Sequence, residues 1–577
     1  MMTDVIVLGG GVGGMSAAQE LAERGFRVHV YEKRSVPGGK ARSIPVPGTG
    51  IDGRQDLPGE HGFRFFPRFY RHVTDTMKRI PYPGNRDGVY GNLVQASRDM
   101  LAQFGKAPLA FPARFPRSVA DVELMFEDMM QSGELGISKA DLGFFAERIW
   151  QLMTSCSTRN EEQYERVSWW TYTDAANRSA AYQALLVQGL TRTLVAAKAR
   201  VASTRSGGTV LTELVYATAR PGRSDDNLLD GPTNMAWIDP WLTYLRELNV
   251  DYHLDAEVEA IHCKNGVIVG ATIREGDKSI EVNGDYFIAA VPVEVMAKLV
   301  TDEMLEKDPL LGGIQELAKD VSWMNGLQFF LSESVPIVNG HVSYIDTPWA
   351  LTSISEEQFW TIDLANYGDG NVKGVLSVDI SDWDTHGILT WPEGDPNGKR
   401  LTARDCTVEQ IKEEVWEQIK KSVNVDGKEI LKNEVRLHSF LDPDISRDPS
   451  GRTDSEPLLV NKADTWHLRP QAWTHIPNLF LASDYVQTNT DLATMEAANE
   501  AARRAVNSII SASGANVPYC KIWKLYQPWV LAPVRWYDQC RYARGLPWRS
   551  ELRLPMKLVH TISVYLNHSV RWLTRLW

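Results

Sequence analysis

Asp4-Val5-Ile6-Val7-Leu8 opens the chain with an unbroken apolar run, the pattern of a strand buried on both faces rather than one alternating between core and water. It breaks at Gly9-Gly10-Gly11-Val12-Gly13-Gly14, after which Ala17, Ala18, Leu21 and Ala22 recur at helical spacing. Gly25 ends that helix, and Phe26 to Tyr31 predicts the next strand. Between Ala120 and Ala219 the period is helical throughout. Val122, Met125, Phe126, Met129 and Met130 form one stripe, and Leu142, Phe145, Ile149 and Met153 another. Most of these side chains form the segment's own core; Trp169, Trp170 and Tyr172 are its candidates for lining a cavity. Further on, a helix from Asp239 to Leu248 precedes a strand at 249–254. A hairpin then turns on Asn265-Gly266, and an apolar strand from Asp285 to Val291 exits at Pro292. Strands at Leu327 to Leu331, Ser343 to Ile345 and Val375 to Ile380 precede a long amphipathic helix, Thr407 to Val423. Trp349 and Trp360 flank a polar turn from which they can reach a cavity.

The glycines carry the first chemistry. Gly9, Gly11 and Gly14 fill a G-x-G-x-x-G pattern between a strand and a helix. The first permits the tight turn, the second a close approach of backbone to a pyrophosphate, and the third close packing of helix on strand. The helix N-terminus presents free N–H groups and a positive dipole end to the same pyrophosphate. Glu32 closes the following strand, where a carboxylate can accept both hydroxyls of an adenosine ribose, and Lys33 beside it joins the cofactor-binding set.

Gly38-Gly39-Lys40-Ala41-Arg42 resembles the signature that follows the ribose-binding Glu in flavoproteins of the amine oxidase and phytoene desaturase superfamily. The resemblance implies FAD, with Lys40 or Arg42 beside the pyrophosphate or the flavin. It extends to 231–292, where backbone at Val258 would contact adenine, and to Asn478-Leu479-Phe480-Leu481-Ala482-Ser483-Asp484-Tyr485, which is similar to the family's C-terminal flavin motif. Asp484 would bond flavin phosphate or ribitol, and the N–H groups around Met495 and Glu496 would face the negative edge of a reduced flavin. Ser483 and Ala497 stand where glycines are usual, and with no Cys in the motif the FAD is expected to be noncovalent. In the desaturase branch a segment comparable to Gly59–Tyr70 passes the flavin ring, so His61 and Arg64 are candidates to touch flavin or substrate. Alternatively, Phe63, Phe65 and Phe66 are core and His61 bonds only backbone.

The implied fold is α/β: a Rossmann-type, glutathione reductase-like FAD-binding domain with an interleaved α+β substrate domain and a helical C-terminal extension. The FAD-binding parts are expected at 1–110, 231–300 and 461–515. A helical cap at 111–230, a substrate domain at 301–460 and an extension at 516–577 complete the chain. Its 577 residues suit several cores. The five cysteines are scattered and none stands at metal-ligand spacing with a His, so neither a disulfide framework nor a metal is expected, and a reducing, cytoplasmic setting is. No window is apolar enough to span a membrane.

Charge changes the picture only at the end. Residues 518–577 carry ten bases, two acids and six tryptophans, a net +8 in a chain of −12. Such interleaving suits a helix lying on an anionic membrane surface; the competing reading docks the segment on the acidic body. The acidic body argues against nucleic acid. The expected activity is desaturation or dehydrogenation of a hydrophobic isoprenoid, carotenoid or fatty acyl substrate by hydride transfer to flavin. An amine or amino-acid oxidase on the same scaffold and a non-redox isoprenoid escort protein are the alternatives. Nothing here speaks to oligomeric state.

Overall fold

The computed structural model describes residues 3–112, 137–189, 198–218, 227–392, 398–448 and 451–549. The stripe from Val122 to Met130 and the tail beyond Arg549 lie outside them. Strand Asp4–Leu8 is the centre of a five-stranded parallel sheet whose order is Leu479–Leu481, Tyr286–Ala289, Asp4–Leu8, Arg27–Tyr31, Asp251–His253. Val5, Val7 and Leu8 are fully buried, as a strand covered on both faces requires. Helix Val12–Ala22 packs against helix Met495–Ser513, so the first and last pieces of this layer meet side by side. The predicted hairpin joins Ala256–Lys264 to Val267–Glu275, with Asn265 and Gly266 both at positive φ, as an Asn-Gly hairpin turn requires.

A seven-stranded sheet forms the second layer. Its order is Arg436–Leu441, Asn325–Leu331, Gly374–Ile380, Leu351–Ser355, Val342–Tyr344, Arg98–Gln103, Lys106–Pro112. Helix Val408–Val423 backs it, started by a Thr407/Gln410 capping box. The segment expected as a cap holds helix Lys139–Thr154, whose N-terminus is closed by the Ser138 hydroxyl accepting from the Asp141 N–H, and a small core around Trp169, Tyr164 and Tyr182.

Several expectations are corrected. Residues 98–110, expected from sequence in the first FAD-binding piece, belong instead to the edge of the seven-stranded sheet: Arg98–Gln103 pairs with Val342–Tyr344, and the turn at Gly105 folds Lys106–Pro112 back on it as a hairpin. Trp349 is fully buried in that sheet's core with its indole N–H on the Thr385 carbonyl, and Trp360 packs beside Leu57 and Val375; neither reaches the cavity. Of the residues expected as an extension, those described, 516–549, pack on the rest of the protein. Pro518 accepts from Arg24, the Trp523 N–H donates to His72 Nε2, and helix Ala532–Tyr542 lies on the cap. Arg535 donates to the Met153 carbonyl and Tyr216 hydroxyl, and Arg541 is buried, so part of the tail's positive charge faces the protein.

Candidate functional site

One cavity runs from the ends of the parallel strands to the face of the seven-stranded sheet. At its nucleotide end the glycine loop is fixed from both sides. The Gly10 N–H donates to Glu32 Oε2 at 2.7 Å, and the Tyr252 hydroxyl donates to the Gly10 carbonyl at 2.7 Å. The closeness excludes side chains. A Cβ on Gly14 would stand 1.9 Å from the Gly9 carbonyl oxygen, and one on Gly13 2.1 Å from that of Ala482. Gly9, Gly38 and Gly39 all hold positive φ.

Gly9, Gly11, Glu32, Lys33, Gly38, Gly39, Lys40, Val258, Asp484 and Met495 all line this cavity, although they come from three segments far apart in the chain. Gly14 lies behind it as the helix–strand contact. Two helix N-termini converge on it, one at Gly11–Gly13 and one at Thr494–Met495. Thr494 caps the second by accepting from the Ala497 N–H, which leaves the first-turn N–H groups of Met495 and Glu496 as donors. Glu32 is 5% exposed and bonds the Gly10 and Arg34 N–H groups, each with one oxygen, so lone pairs remain for hydroxyl donors. Burial pushes its carboxyl above the usual range, against the pull of those two N–H bonds. Glu294 adds a buried carboxylate whose two oxygens have no hydrogen-bond partner among the described residues, with the Lys40 ammonium 3.9 Å away. Carboxylates that accept from sugar and ribitol hydroxyls, helix N-termini that donate to a pyrophosphate and glycines where backbone must come close are the groups an FAD requires.

Two of the predicted residues are differently placed. Arg42 is off the cavity wall. With Arg34 it clamps Asp444 and Glu456, donating to both carboxylates in a buried four-charge ladder. Against the cost of burial, Arg42, His61 and Arg34 hold Glu456 well below the usual carboxylate range. His61 Nδ1 stands 3.8 Å from Asp444 Oδ2 and 4.0 Å from Glu456 Oε2, at the edge of this ladder. The Glu496 side chain turns away. It accepts from the N–H groups of Arg71, His72 and Val73 and from His72 Nδ1, capping helix His72–Arg79, and Glu496 is not among the residues lining the cavity.

At the other end the wall is aromatic and apolar, with Phe63, Phe65, Trp169, Val210 and Met324. Trp170 and Tyr172 pack in the cap core instead. His61 and Arg64 both reach this wall. His61 is neither free nor bonded to backbone: its Nδ1 lies 2.7 Å from Asp442 Oδ2. Arg64 donates to the carbonyls of Gly62, Phe63 and Lys40. Sequence reasoning missed Asp379, His341 and Glu294. For Asp379 a signal existed: Ser377 and Asp379 are alternate polar positions in a strand otherwise wholly apolar and buried, so both face one side of the sheet. His341 and Glu294 sit in stretches with no such pattern.

The family described as flavin containing amine oxidoreductase matches residues 12–510. An all-trans-zeta-carotene desaturase of Myxococcus xanthus is 26% identical over 329 residues, 52% of this chain and 57% of that protein. A hydroxyneurosporene desaturase of Rhodobacter capsulatus is 52% identical over 50 residues, 9% of this chain and 10% of that one. The chain thus spans little more than half of the longer-matching of these two curated relatives. Among solved structures, putrescine oxidase superposes with a TM-score of 0.58 at 12% identity, covering 89% of this chain and 99% of that one. Cyclohexylamine oxidase from Brevibacterium oxydans gives 0.57 at 11%, covering 89% and 100%. At such identities the likeness is one of fold.

Proposed function

The chain belongs to the flavin-containing amine oxidoreductase family, an FAD-dependent oxidoreductase on that ground, and from this premise we propose that it desaturates or dehydrogenates an apolar, isoprenoid-type substrate. We read the parallel sheet as a Rossmann-type, glutathione reductase-like FAD-binding domain split into three pieces, the antiparallel sheet and cap as the substrate domain, and 516–577 as the extension. In this reading Gly9, Gly11, Glu32, Lys33, Lys40, Glu294, Asp484 and the N–H groups of Met495 and Glu496 hold the cofactor. Bound FAD supplies the hydride-accepting chemistry. The chain's own part is to position a carbon chain in the aromatic end of the cavity and to keep water from it, with His61 and Arg64 at the junction of the two ends.

The observation that carries the proposal is the wall itself. Phe63, Phe65, Trp169, Val210 and Met324 continue directly from the glycine cradle, and the lysines on the cavity, Lys33 and Lys40, belong to its nucleotide end. Flat apolar surface binds a polyene by burial and orients it by shape, which is all such a substrate offers. The desaturase relatives support the same substrate class. We extend the proposal to a peripheral membrane setting. Trp529 and Trp536 on the docked extension are 48% and 61% exposed, and exposed Lys524, Arg544 and Arg549 accompany them. Among the described residues no helix is long and apolar enough to cross a membrane.

Anaerobic titration of the purified flavoprotein tests the activity. A carotenoid polyene in detergent is expected to bleach the flavin's visible absorbance, while putrescine and cyclohexylamine leave it unchanged. Bleaching by the amines alone would assign an amine oxidase instead.

A further inference from the structure

Two atoms on the apolar wall make no hydrogen bond among the described residues, although the Phe63 N–H is near enough to the Asp379 carboxyl to lower it. Asp379, 6% exposed, lines the cavity with its Oδ1 buried and unpartnered among the described residues. His341 lines the same wall, its ring edge-on to Phe63 at 5.3 Å and stacked with Phe65 at 6.0 Å, and its Nε2 is likewise buried and unpartnered. Strand register puts both on one face of the seven-stranded sheet. Val342 pairs with Ser353, and Ser353 with Val378, so His341 and Asp379 flank a common row of residues. Buried polar atoms left unbonded are costly, so their retention on a wall otherwise built to hold hydrocarbon calls for a partner.

We infer that the substrate is not a pure hydrocarbon but an isoprenoid bearing a neutral oxygen function, a hydroxyl or carbonyl, which Asp379 and His341 recognise at the sheet face. The inference rests on the apolar-substrate reading above and narrows it. Charge selects neutral oxygen over an ammonium or a carboxylate. The Arg64 guanidinium spends its N–H groups on the carbonyls of Gly62, Phe63 and Lys40 yet stands beside Asp379; a Cβ on Gly62 would lie 2.8 Å from Asp379 Oδ1 and 3.5 Å from Arg64 Nη1. It therefore offsets the Asp379 charge without bonding Oδ1. Burial pushes the Asp379 carboxyl up to about 7 and the His341 imidazole down to about 4, so the pair presents little net charge to a ligand. A cationic amine would find no uncompensated anion here, and a carboxylate would meet Asp379 directly. A hydroxyl can donate to Asp379 or accept from His341, and a carbonyl can accept from a protonated Asp379 or from His341.

The test is a binding titration without turnover, read as perturbation of the bound flavin's visible spectrum. The probes are geranylgeraniol, its deoxy hydrocarbon and geranylgeranylamine, each in the same detergent micelles. The wild-type holoprotein should bind the alcohol about tenfold more tightly than the hydrocarbon, the worth of one well-made hydrogen bond. Asp379→Leu and His341→Phe should hold FAD, keep the hydrocarbon affinity and bring the ratio toward one in at least one variant; a merely structural role would shift both ligands together. Equal affinities in the wild type, meaning that water meets both atoms, would overturn the inference while leaving the apolar-substrate reading intact. So would an unchanged ratio in both variants or a preference for the amine. If neither the alcohol nor the hydrocarbon binds, the apolar-substrate reading falls and the inference with it.

Discussion

The Asp538 carboxylate receives the Arg159 guanidinium at 2.9 Å, with both side chains at most 3% exposed. The pair joins helix Ala532–Tyr542 to the segment expected as a cap, and Asp538 also accepts from the Cys156 N–H. Removing one member of such a pair strands the other in low dielectric, which costs about 3–5 kcal/mol. Asp538→Ala should therefore lower the urea midpoint and make the cap the first site of limited proteolysis. For the same reason, deleting residues 516–577 should destabilise the protein rather than detach a free appendage. A truncated protein as stable as the parent would return the extension to the status of a loose tail.

Glu32→Ala should weaken FAD binding. The change removes the acceptor that fixes the Gly10 N–H as well as the charge-assisted bonds available to ribose hydroxyls, a loss of about 1.5–3 kcal/mol. The check is FAD released per mole of denatured protein, with dissociation measured on dilution. An FAD content equal to that of the parent protein would remove Glu32 from the binding set.

How far such a site can be read in advance depends on whether its parts are local. Strand, glycine loop, helix and Glu32 lie within one stretch, where spacing alone puts backbone N–H groups and carboxylate at one strand end, and the structure lines the cavity with Gly9, Gly11 and Glu32. Lys40 and Arg42 are two residues apart, yet one lines the cavity and the other is drawn into the Asp444–Glu456 ladder more than 400 positions away. No local pattern distinguishes them, because the deciding charges come from another part of the fold. The tail misleads in a related way. Its bases are real, but Arg535 and Arg541 turn inward once Asp538 docks the helix, and composition is blind to direction.

Stability should fall as pH rises through neutrality, and Glu356 should be a main cause. Burial first, and the neighbouring Glu60 next, push its carboxyl from 4.5 up to about 8, so the native state keeps a proton that the unfolded chain releases. A raised acid contributes stability that is fully present below the unfolded value and is lost progressively as pH climbs to the folded one, at up to about 1.4 kcal/mol per pH unit. Glu456, held low by Arg42, His61 and Arg34 against burial, acts in the opposite sense and costs stability on acidification. Urea unfolding across pH 5 to 8.5 should show Glu356→Gln matching the parent at the acid end and exceeding it at the alkaline end. Parallel profiles for the two proteins would show that Glu356 is ionised in the folded state.

The membrane proposal makes its own demand on two side chains. Trp529 and Trp536 are exposed on the docked extension, where burying large aromatic surface would ordinarily be favourable, and a bilayer interface is an environment that suits an indole's apolar body and polar N–H. Exposed Lys524, Arg544 and Arg549 add attraction to anionic headgroups of about 1 kcal/mol each, screened by salt. The parent protein should sediment with phosphatidylserine-containing vesicles at low ionic strength and be released at high salt. The double variant Trp529→Ser, Trp536→Ser should lose most of that binding while keeping its FAD and its urea midpoint, because neither indole touches the cavity or the Arg159–Asp538 pair. If the parent stays in the supernatant at low salt, the proposal fails outright. Binding that survives in the double variant would locate the contact elsewhere on the protein.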